Sequence, residues 1–320
     1  MDKKEQGKQK HDLFAKQSPH SSPGIHIGLI ESVTADLRAM TAFVQNLLIY
    51  DVAAKPFYGI DLNDDRAQDI HIRQVDQILQ RLTEIGSPQL LSERQPQHRM
   101  AARCGTFALL LLALLRHHGI PARSRAGFAD YFSSATFEDH WVVEYWDADC
   151  KTWRYADPMF DAVWQQRLGI QHDILNVPKA KFLTAAEVWK RCRLREMDPD
   201  RVGISHANLY GLFFIAGSLI RDIAAFCRVE MLPWDVWGAQ PRPDDALDPE
   251  KLAYFDDLAE HMLSADSNPV LIERLYATDQ RLTVPTHVFN ALRNRTEPAR
   301  LPQEQDQHDD DTDQHQHRYT

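Results

Sequence analysis

The segment from Cys104 to His118, CGTFALLLLALLRHH, constrains this chain of 320 residues more than any other. The segment is apolar on nearly every side of a helix, which predicts a fully buried helix. Its end is well marked, because Arg116 and His117 occupy the last turn and Gly119 follows directly after His118. Its start has no Ser, Thr, Asp or Asn cap before the cysteine. The fold must therefore surround one helix that begins at a cysteine.

After this helix the apolar pattern changes from a period of 3.6 to a period of two. Residues 123–132 alternate loosely, and residues 140–146 are rich in β-branched and aromatic residues. A turn follows, and residues 152–156 resume as a strand. A buried helix followed by an antiparallel meander predicts the α+β class.

Further helices are predicted on both sides of this core. Apolar residues fall at helical spacing over residues 30–47 and again over 70–85. After Pro158 the clearest helical segments are 185–194 and 207–232. We therefore expect extra N-terminal and C-terminal helices around the core.

The predicted organisation has four parts. Residues 1–23 are polar and lack apolar periodicity, so we expect a disordered leader. Residues 24–165 are expected to form the core, and residues 166–296 a mainly helical appended region. Residues 297–320 are predicted to be a disordered acidic and His-rich tail.

Charge and hydropathy exclude several classes of partner. The formal net charge is −10, so there is no basic surplus to displace phosphate counterions, and nucleic acid is not expected as a partner. The N-terminus has no apolar signal-peptide region. The longest apolar runs, 107–115 and 212–220, are shorter than the roughly 18 residues that a membrane span needs. We expect a cytoplasmic protein without a membrane partner, and the oligomeric state stays open.

The cysteines predict neither a metal site nor a disulfide framework. The chain has four of them, and none forms a CxxC pair or a close cluster: Cys104, Cys150, Cys192 and Cys227. His308, His315 and His317 could chelate a metal, but a solvated tail is the favoured interpretation. No cofactor and no metal are therefore predicted.

Three residues in this core have the types and the order of a catalytic triad. Cys104 begins the buried helix, His140 lies on a strand 36 residues later, and Asp157 ends the next strand. The positive end of a helix dipole favours a thiolate, and a histidine on a neighbouring strand can take the thiol proton. An aspartate can hold the second ring nitrogen, and the first amides of the helix can hold an oxyanion.

Each of these residues also has a structural interpretation. A lone cysteine in a Leu-rich helix is usually core, a strand histidine is usually structural, and an Asp-Pro pair is usually a turn. Their joint order favours the triad. Trp234 and Trp237 favour a packed junction over a substrate platform, and for Asp139 and Glu144 a solvated or ion-paired role is expected.

Several segments together resemble the core of the transglutaminase-like superfamily. They are residues 103–105 (RCG), 115–128 (LRHHGIPARSRAGF) and 139–146 (DHWVVEYW), followed by Trp153 and Asp157-Pro158. The resemblance covers roughly residues 60–165. It implies a papain-like α+β core with a catalytic triad, namely Cys104, His140 and Asp157. The region after residue 165 is similar to a helical extension of bacterial members.

The resemblance has departures as well. Papain-like enzymes often place a glutamine or an aromatic side chain in the oxyanion hole, upstream of the cysteine; here Gln97 and His98 are the nearest candidates. No acidic, Gly-centred calcium loop is present, so calcium-gated crosslinking is not implied. The CxxC zinc pairs of the peptide N-glycanase branch are absent from the sequence.

The function that follows is that of a cysteine hydrolase or acyltransferase. Cys104 is expected to attack the carbonyl of a peptide, a protein or a small acyl or amide substrate and to form a thioester. Water would then give a peptidase or amidase, and an amine would give acyl transfer. The alternative is a catalytically silent scaffold of the same fold that binds a protein or a ligand.

Overall fold

The computed structural model describes residues 11–87 and 89–300 and has a mixed α+β architecture. The first part is mainly helical, with elements α1 (Leu37–Leu47), β1 (Leu48–Tyr50), α2 (Asp51–Tyr58), α3 (Asp64–Ala67), α4 (Val75–Ile85) and β2 (Met100–Ala102). The middle part contains α5 (Cys104–His117), β3 (Ala122–Ala129), β4 (Phe137–Asp147), β5 (Thr152–Ala156), α6 (Ala162–Leu168) and β6 (Phe182–Thr184). The last part contains α7 (Ala185–Arg193), β7 (Val202–Ile204), β8 (Leu209–Tyr210), α8 (Leu212–Phe226), β9 (Asp235–Val236), α9 (Pro249–Leu263), α10 (Pro269–Thr278), β10 (His287–Asn290) and β11 (Arg295–Pro298). The predicted α+β class is confirmed.

Helix α5 is the buried helix that the sequence predicts. Its alanines and leucines are strong helix formers, and nearly all of its side chains are buried. It ends because Gly119 adopts a φ of +69° and the Ile120 amide donates to the Leu115 carbonyl at 2.9 Å. Arg103 precedes the helix without a side-chain cap. One large hydrophobic cluster surrounds α5.

Strand β4 organises the six-stranded sheet, whose main order is β6-β3-β4-β7-β8. Along one edge it pairs with β3, from Ala122 opposite Tyr145 to Ala129 opposite Glu138. Along the other edge it has two partners, because β7 pairs with residues 137–138 and β5 pairs with residues 143–147. Residues 139–142 therefore lie between these two partners.

A glycine is required directly opposite His140. Gly127 is the β3 residue that pairs with His140 in β4 and with Thr184 in β6. A Cβ atom at this position would lie 2.2 Å from the Leu183 carbonyl oxygen. Any larger side chain would thus force β6 away from β3 at the strand that supports His140.

The sheet does not end at the predicted boundary at residue 165. Strands β6, β7 and β8 come from the region after it, yet they pair with β3, with β4 and with each other. Helix α8 packs against β3 and lies at the centre of the second large hydrophobic cluster. The division into a core at 24–165 and an appended region at 166–296 is therefore corrected, because both segments build one sheet. No helix within the described residues combines the length and the apolar character that crossing a membrane requires.

The expected disordered leader is wrong for residues 11–23. Phe14 is only 2% exposed and packs its ring edge-on against Trp153 and Phe226. Ser18 and Ser21 are buried as well. The sequence pattern missed this segment because it packs through single anchors and 3-10 turns, without helical periodicity. Residues 1–10 lie outside the described part of the chain.

The two serines form hydrogen bonds with a buried ion pair. Arg116 of α5 donates to a carboxylate oxygen of Glu230 at 2.8 Å, and their side chains are 0% and 3% exposed. Ser18 Oγ donates to Glu230 at 2.6 Å, and Ser21 Oγ accepts from Arg116 at 2.9 Å. The N-terminal segment thus supplies hydrogen bonds to charges that lie behind the cysteine helix.

The predicted tail also begins later than residue 297. Strand β11 continues to Pro298, and Glu297 is buried and accepts from Arg73 at 3.0 Å and from Arg293 at 2.8 Å. These ion pairs join the N-terminal and C-terminal parts of the described chain. Residues 301–320, with the three tail histidines, lie outside the described residues, so the prediction of a disordered tail there stays a prediction.

We predict that deletion of residues 1–23 destabilises the protein, whereas deletion of residues 1–10 does not. The longer deletion removes Phe14 and both serine hydroxyls, so Arg116 and Glu230 lose partners in a buried site. The cost should be on the order of 3 kcal/mol, or a melting temperature lower by about 5–10 °C. Thermal unfolding of both truncated proteins checks this, and equal melting temperatures would contradict it.

Candidate active site

The position of Cys104 is set by a short parallel strand pair that leads into α5. Tyr50 of β1 pairs with Ala102 of β2, and Arg103 then makes the turn into the helix. The amides of Thr106 and Phe107 donate to the Arg103 carbonyl oxygen. The two amides before them, at residues 104 and 105, have no acceptor within the helix, as at any helix start. Cys104 is 5% exposed and lines a pocket.

His140 and Asp157 meet because of the register between β4 and β5. Val143 pairs with Ala156, so the next step places Asp157 opposite Val142 and on the same face as His140. Asp157 Oδ2 lies 2.7 Å from His140 Nε2, and both side chains are 1% exposed. Cys104 is also a neighbour of His140, since its side chain contributes to the raised pKa of the histidine. Because Nε2 is occupied by Asp157, Nδ1 is the ring nitrogen that remains for Cys104.

The charge of Asp157 controls the protonation of His140. Burial by itself lowers the pKa of His140, but the Asp157 carboxylate raises it, and Cys104 raises it further. The net result is a pKa of His140 above its ordinary value of 6.5. The imidazolium form is therefore favoured at neutral pH. The structure thus brings the three predicted residues together, with His140 hydrogen-bonded to Asp157 and under the influence of Cys104.

A tyrosine that the sequence did not single out adds a further hydrogen bond to Asp157. Tyr131 donates its hydroxyl hydrogen to Asp157 Oδ2 at 2.6 Å, the same oxygen that binds His140. The Met159 amide donates to the other oxygen at 3.2 Å. The rings of Tyr131, Phe132 and Phe160 surround the His140 ring at centroid distances of 5.9, 5.0 and 5.8 Å. Tyr131 follows the end of β3, and no local pattern indicates that it reaches Asp157.

The pocket at Cys104 has a volume of about 370 Å³. Aromatic and polar side chains share its lining: Tyr50, Val52, Arg103, Phe132, Ser133, Glu138, Asp139, Trp164, Ile204, Ser205, His206, Pro233 and Trp234. Tyr50 is a second residue that the sequence analysis did not single out. It is an aromatic residue upstream of the cysteine, which is the type that papain-like enzymes often place in the oxyanion hole. Burial, then the charge of Cys104, raises the pKa of Tyr50 above its ordinary value, so its hydroxyl stays a hydrogen-bond donor.

The predicted oxyanion residues lie elsewhere. Gln97 and His98 are exposed on a 3-10 turn, Pro96–His98, and neither belongs to the pocket lining. Their carbonyl oxygens accept from Arg66 and Arg94 instead. The proposal of Gln97 and His98 as oxyanion donors is therefore corrected, because sequence proximity to the cysteine did not translate into proximity in space.

Of the other residues that the sequence singled out, some make structural contacts and others line the pocket. Glu144 is buried and paired with Arg123 at 2.6 Å and Arg125 at 2.8 Å, as expected for an ion-paired residue. These arginines outweigh burial and lower the pKa of Glu144 to about 2. Trp237 is 5% exposed and donates to the Leu282 carbonyl, which fits the expected junction. Trp234 instead borders the pocket, and so does Asp139.

The remaining cysteines lie outside the pocket, and the described residues contain no group that resembles a metal centre. Across residues 11–87 and 89–300, no three or more His, Cys, Asp or Glu side chains lie together in a geometry that could hold a metal ion. Cys150 is exposed, whereas burial raises the pKa of Cys192 to about 11 and that of Cys227 to about 12.

We predict that Tyr131→Phe destabilises the protein by about 2 kcal/mol, because it removes a hydrogen bond to a buried carboxylate. The matched control is Tyr145→Phe. The Tyr145 hydroxyl donates to the neutral Leu175 carbonyl at 3.0 Å, so its loss should cost about 1 kcal/mol. Urea unfolding of both variants measures the difference. A Tyr131→Phe variant that is no less stable than Tyr145→Phe would contradict the role given to the tyrosine hydroxyl.

Comparison with known proteins identifies this region. Residues 66–158 match the family model of the transglutaminase-like superfamily. Searches of curated proteins and of solved structures returned no significant match. The matched stretch runs from α3 to the residue after Asp157, and it therefore includes Cys104, His140 and Asp157. The chain contains a transglutaminase-like superfamily domain at residues 66–158.

Proposed function

We propose that the protein is a cysteine enzyme of the transglutaminase-like type that acts on an amide or acyl group through a thioester at Cys104. The observation that carries the proposal is the position of His140. It lies 2.7 Å from Asp157 through Nε2, and Cys104, which lines the pocket, is near enough to raise the pKa of the histidine. The family match supports the same assignment.

Before the first step, the proton of the Cys104 thiol already resides on His140 Nδ1, and Asp157 stabilises this imidazolium through Nε2. In the first step, the sulfur attacks the carbonyl carbon of the substrate. The C–S bond forms, and the π electron pair of the carbonyl moves onto its oxygen. The amide at residue 104 and the Tyr50 hydroxyl are candidate donors to this oxyanion, because both residues line the pocket.

In the second step, the oxyanion collapses, the bond to the leaving group breaks, and His140 gives its proton to the departing amine. A water molecule or a second amine then attacks the thioester and passes a proton to His140. The C–S bond breaks, the product leaves, and the pair of Cys104 thiolate and His140 imidazolium is restored. Water gives hydrolysis and an amine gives acyl transfer, so the access of water to the thioester determines which reaction dominates.

A catalytically silent scaffold that binds a protein or ligand is the second candidate. The observation in its favour is the depth of the thiol, since Cys104 is only 5% exposed and the Phe132 and Trp164 rings share its pocket. The two candidates differ in the reactivity of Cys104. A thiol that reacts quickly supports the enzyme, and an inert thiol supports the scaffold.

We predict that Cys104 reacts with iodoacetamide faster than any other cysteine at pH 6. The reason is its neighbour His140, whose imidazolium form is favoured, whereas burial raises the pKa of Cys192 and of Cys227. Peptide mapping after brief alkylation measures the rates. Cys150 is exposed and serves as the internal reference. Preferential labelling of Cys150 at pH 6 would contradict the prediction.

We predict that Asp157→Asn reduces turnover by about 10–10³-fold, less than the same change in a serine triad, because a thiol is intrinsically more acidic. Asparagine can still accept a hydrogen bond but cannot stabilise the imidazolium. The pKa of His140 should therefore fall, and alkylation of Cys104 should need a higher pH. An unchanged pH profile of alkylation would remove Asp157 from the catalytic group and leave a Cys-His pair.

A screen with thioester, peptide and glutamine-amide substrates tests the reaction itself. We expect turnover of at least one class by the natural chain, and none by Cys104→Ala. Repeating the assay with added amine separates hydrolysis from acyl transfer, because only an acyltransferase forms the new amide. Activity that persists in Cys104→Ala would exclude a thioester at this residue.

A further inference from the structure

The pocket at Cys104 contains two carboxylates that have no ion-pair partner. Glu138 and Asp139 both line it, and within the described chain no Lys, Arg or His nitrogen lies within 4.0 Å of either carboxylate. Glu138 accepts hydrogen bonds from Ser205, with the amide at 2.9 Å. Asp139 has a longer contact of 3.5 Å with Ser218 Oγ. Asp139 therefore keeps capacity to accept further hydrogen bonds.

The arginine that lines the pocket already has an acidic partner. Arg103 donates to Asp51 at 2.8 Å, and its guanidinium lies 5.5 Å from the Tyr50 ring centre and 5.8 Å from that of Trp234. His206 also lines the pocket, but burial, with help from Arg103, lowers its pKa, so it is neutral at pH 7. The two unpaired carboxylates therefore determine the sign of the charge that the pocket presents to a ligand.

Aromatic rings line the same space. Tyr50, Phe132, Trp164 and Trp234 are all part of the lining. The face of an aromatic ring attracts a cation, and its apolar surface accommodates the methylene stem of a charged chain. An open pocket with aromatic walls and unpaired carboxylates is suited to a ligand with a positively charged end.

We propose that this pocket selects a substrate with a positively charged group, an ammonium or a guanidinium, and that Asp139 determines this specificity. The inference rests on the proposed function of the same site and adds the chemical class of the substrate. The charged group would donate to Asp139, and its stem would lie against the rings. Glu138 would add to the attraction while Ser205 holds it in place.

The protonation of Asp139 gives the preference a pH dependence. Burial raises the pKa of Asp139 to about 6, while Arg221 and His140 act in the opposite direction. The groups that face it are Arg221 and Ser218 of α8, Tyr50 of β1, and His140 and Glu138 of its own strand. Arg221 is buried and does not line the pocket. Above pH 6 Asp139 is charged and attracts a cation, and below pH 6 this attraction is lost.

Titration of the full-length Cys104→Ala protein with n-butylammonium and with butyrate tests the proposal. Calorimetry or ligand-detected NMR measures both affinities at pH 7.5 and at pH 5. At pH 7.5 we expect n-butylammonium to bind about tenfold tighter than butyrate. Asp139→Asn should weaken n-butylammonium about fivefold. Asp244→Asn is the matched control, since Asp244 is exposed and outside the pocket lining, and it should change nothing.

The pH series keeps the test decisive even if Asp139→Asn does not fold. The preference for n-butylammonium should fall several-fold between pH 7.5 and pH 5 in the protein that retains Asp139. Equal affinities for the two probes, or tighter binding of butyrate, would overturn the proposal. Acetyl-lysine methylamide and putrescine as further probes distinguish a peptide side chain from a free diamine as the source of the charge.

The binding test is independent of the test of catalysis. It uses the Cys104→Ala protein, which lacks the nucleophile and can only bind the probes. Selective binding of the cation, together with an inert Cys104 in the natural chain, would leave the specificity standing and point to the scaffold. A reactive Cys104 without a preference for the cation would leave the enzyme standing and overturn the specificity.

Discussion

The contact between His140 and Asp157 is the interaction on which the candidate site depends. It forms where β4 has changed its partner, after β7 and before β5, so that the end of β5 can bring Asp157 next to His140. A charged pair in the interior is costly unless its remaining hydrogen bonds are satisfied. Tyr131 and the Met159 amide donate to Asp157, and Cys104 contributes to the raised pKa of His140. The buried carboxylate favours the imidazolium over the neutral ring, because it places a negative charge beside the ring nitrogen.

The surrounding fold fixes the positions of Cys104 and His140. The β1–β2 pair fixes the start of α5, and β3 supports His140 through a glycine that lets β6 approach. Arg116 of α5 and its partner Glu230 form hydrogen bonds with two serines of the N-terminal segment. The segments on both sides of the matched domain therefore contribute to its support, and the candidate site is built on rigid elements.

The sequence alone predicts which residues meet in the candidate site better than it predicts the boundaries of the segments. The buried helix and the order of Cys104, His140 and Asp157 are visible because helix burial and strand alternation are local patterns. Tyr50, Tyr131 and the packing of residues 11–23 are not visible, since each depends on contacts between segments distant in the chain. Gln97 and His98 show the opposite error: they are close to Cys104 in sequence but do not line its pocket. The boundary at residue 165 failed for the same reason, because strand pairing across it leaves no local mark.

The most direct test of the central claim is the protonation state of His140, measured by ¹⁵N NMR of labelled imidazole nitrogens as a function of pH. Because Asp157 and Cys104 raise the pKa of His140 above 6.5, we expect both ring nitrogens to carry protons at pH 7.5 in the natural chain. The fraction of imidazolium at this pH should drop in Asp157→Asn. A His140 that is neutral at pH 7.5, with a titration midpoint at or below 6.5, would contradict the account.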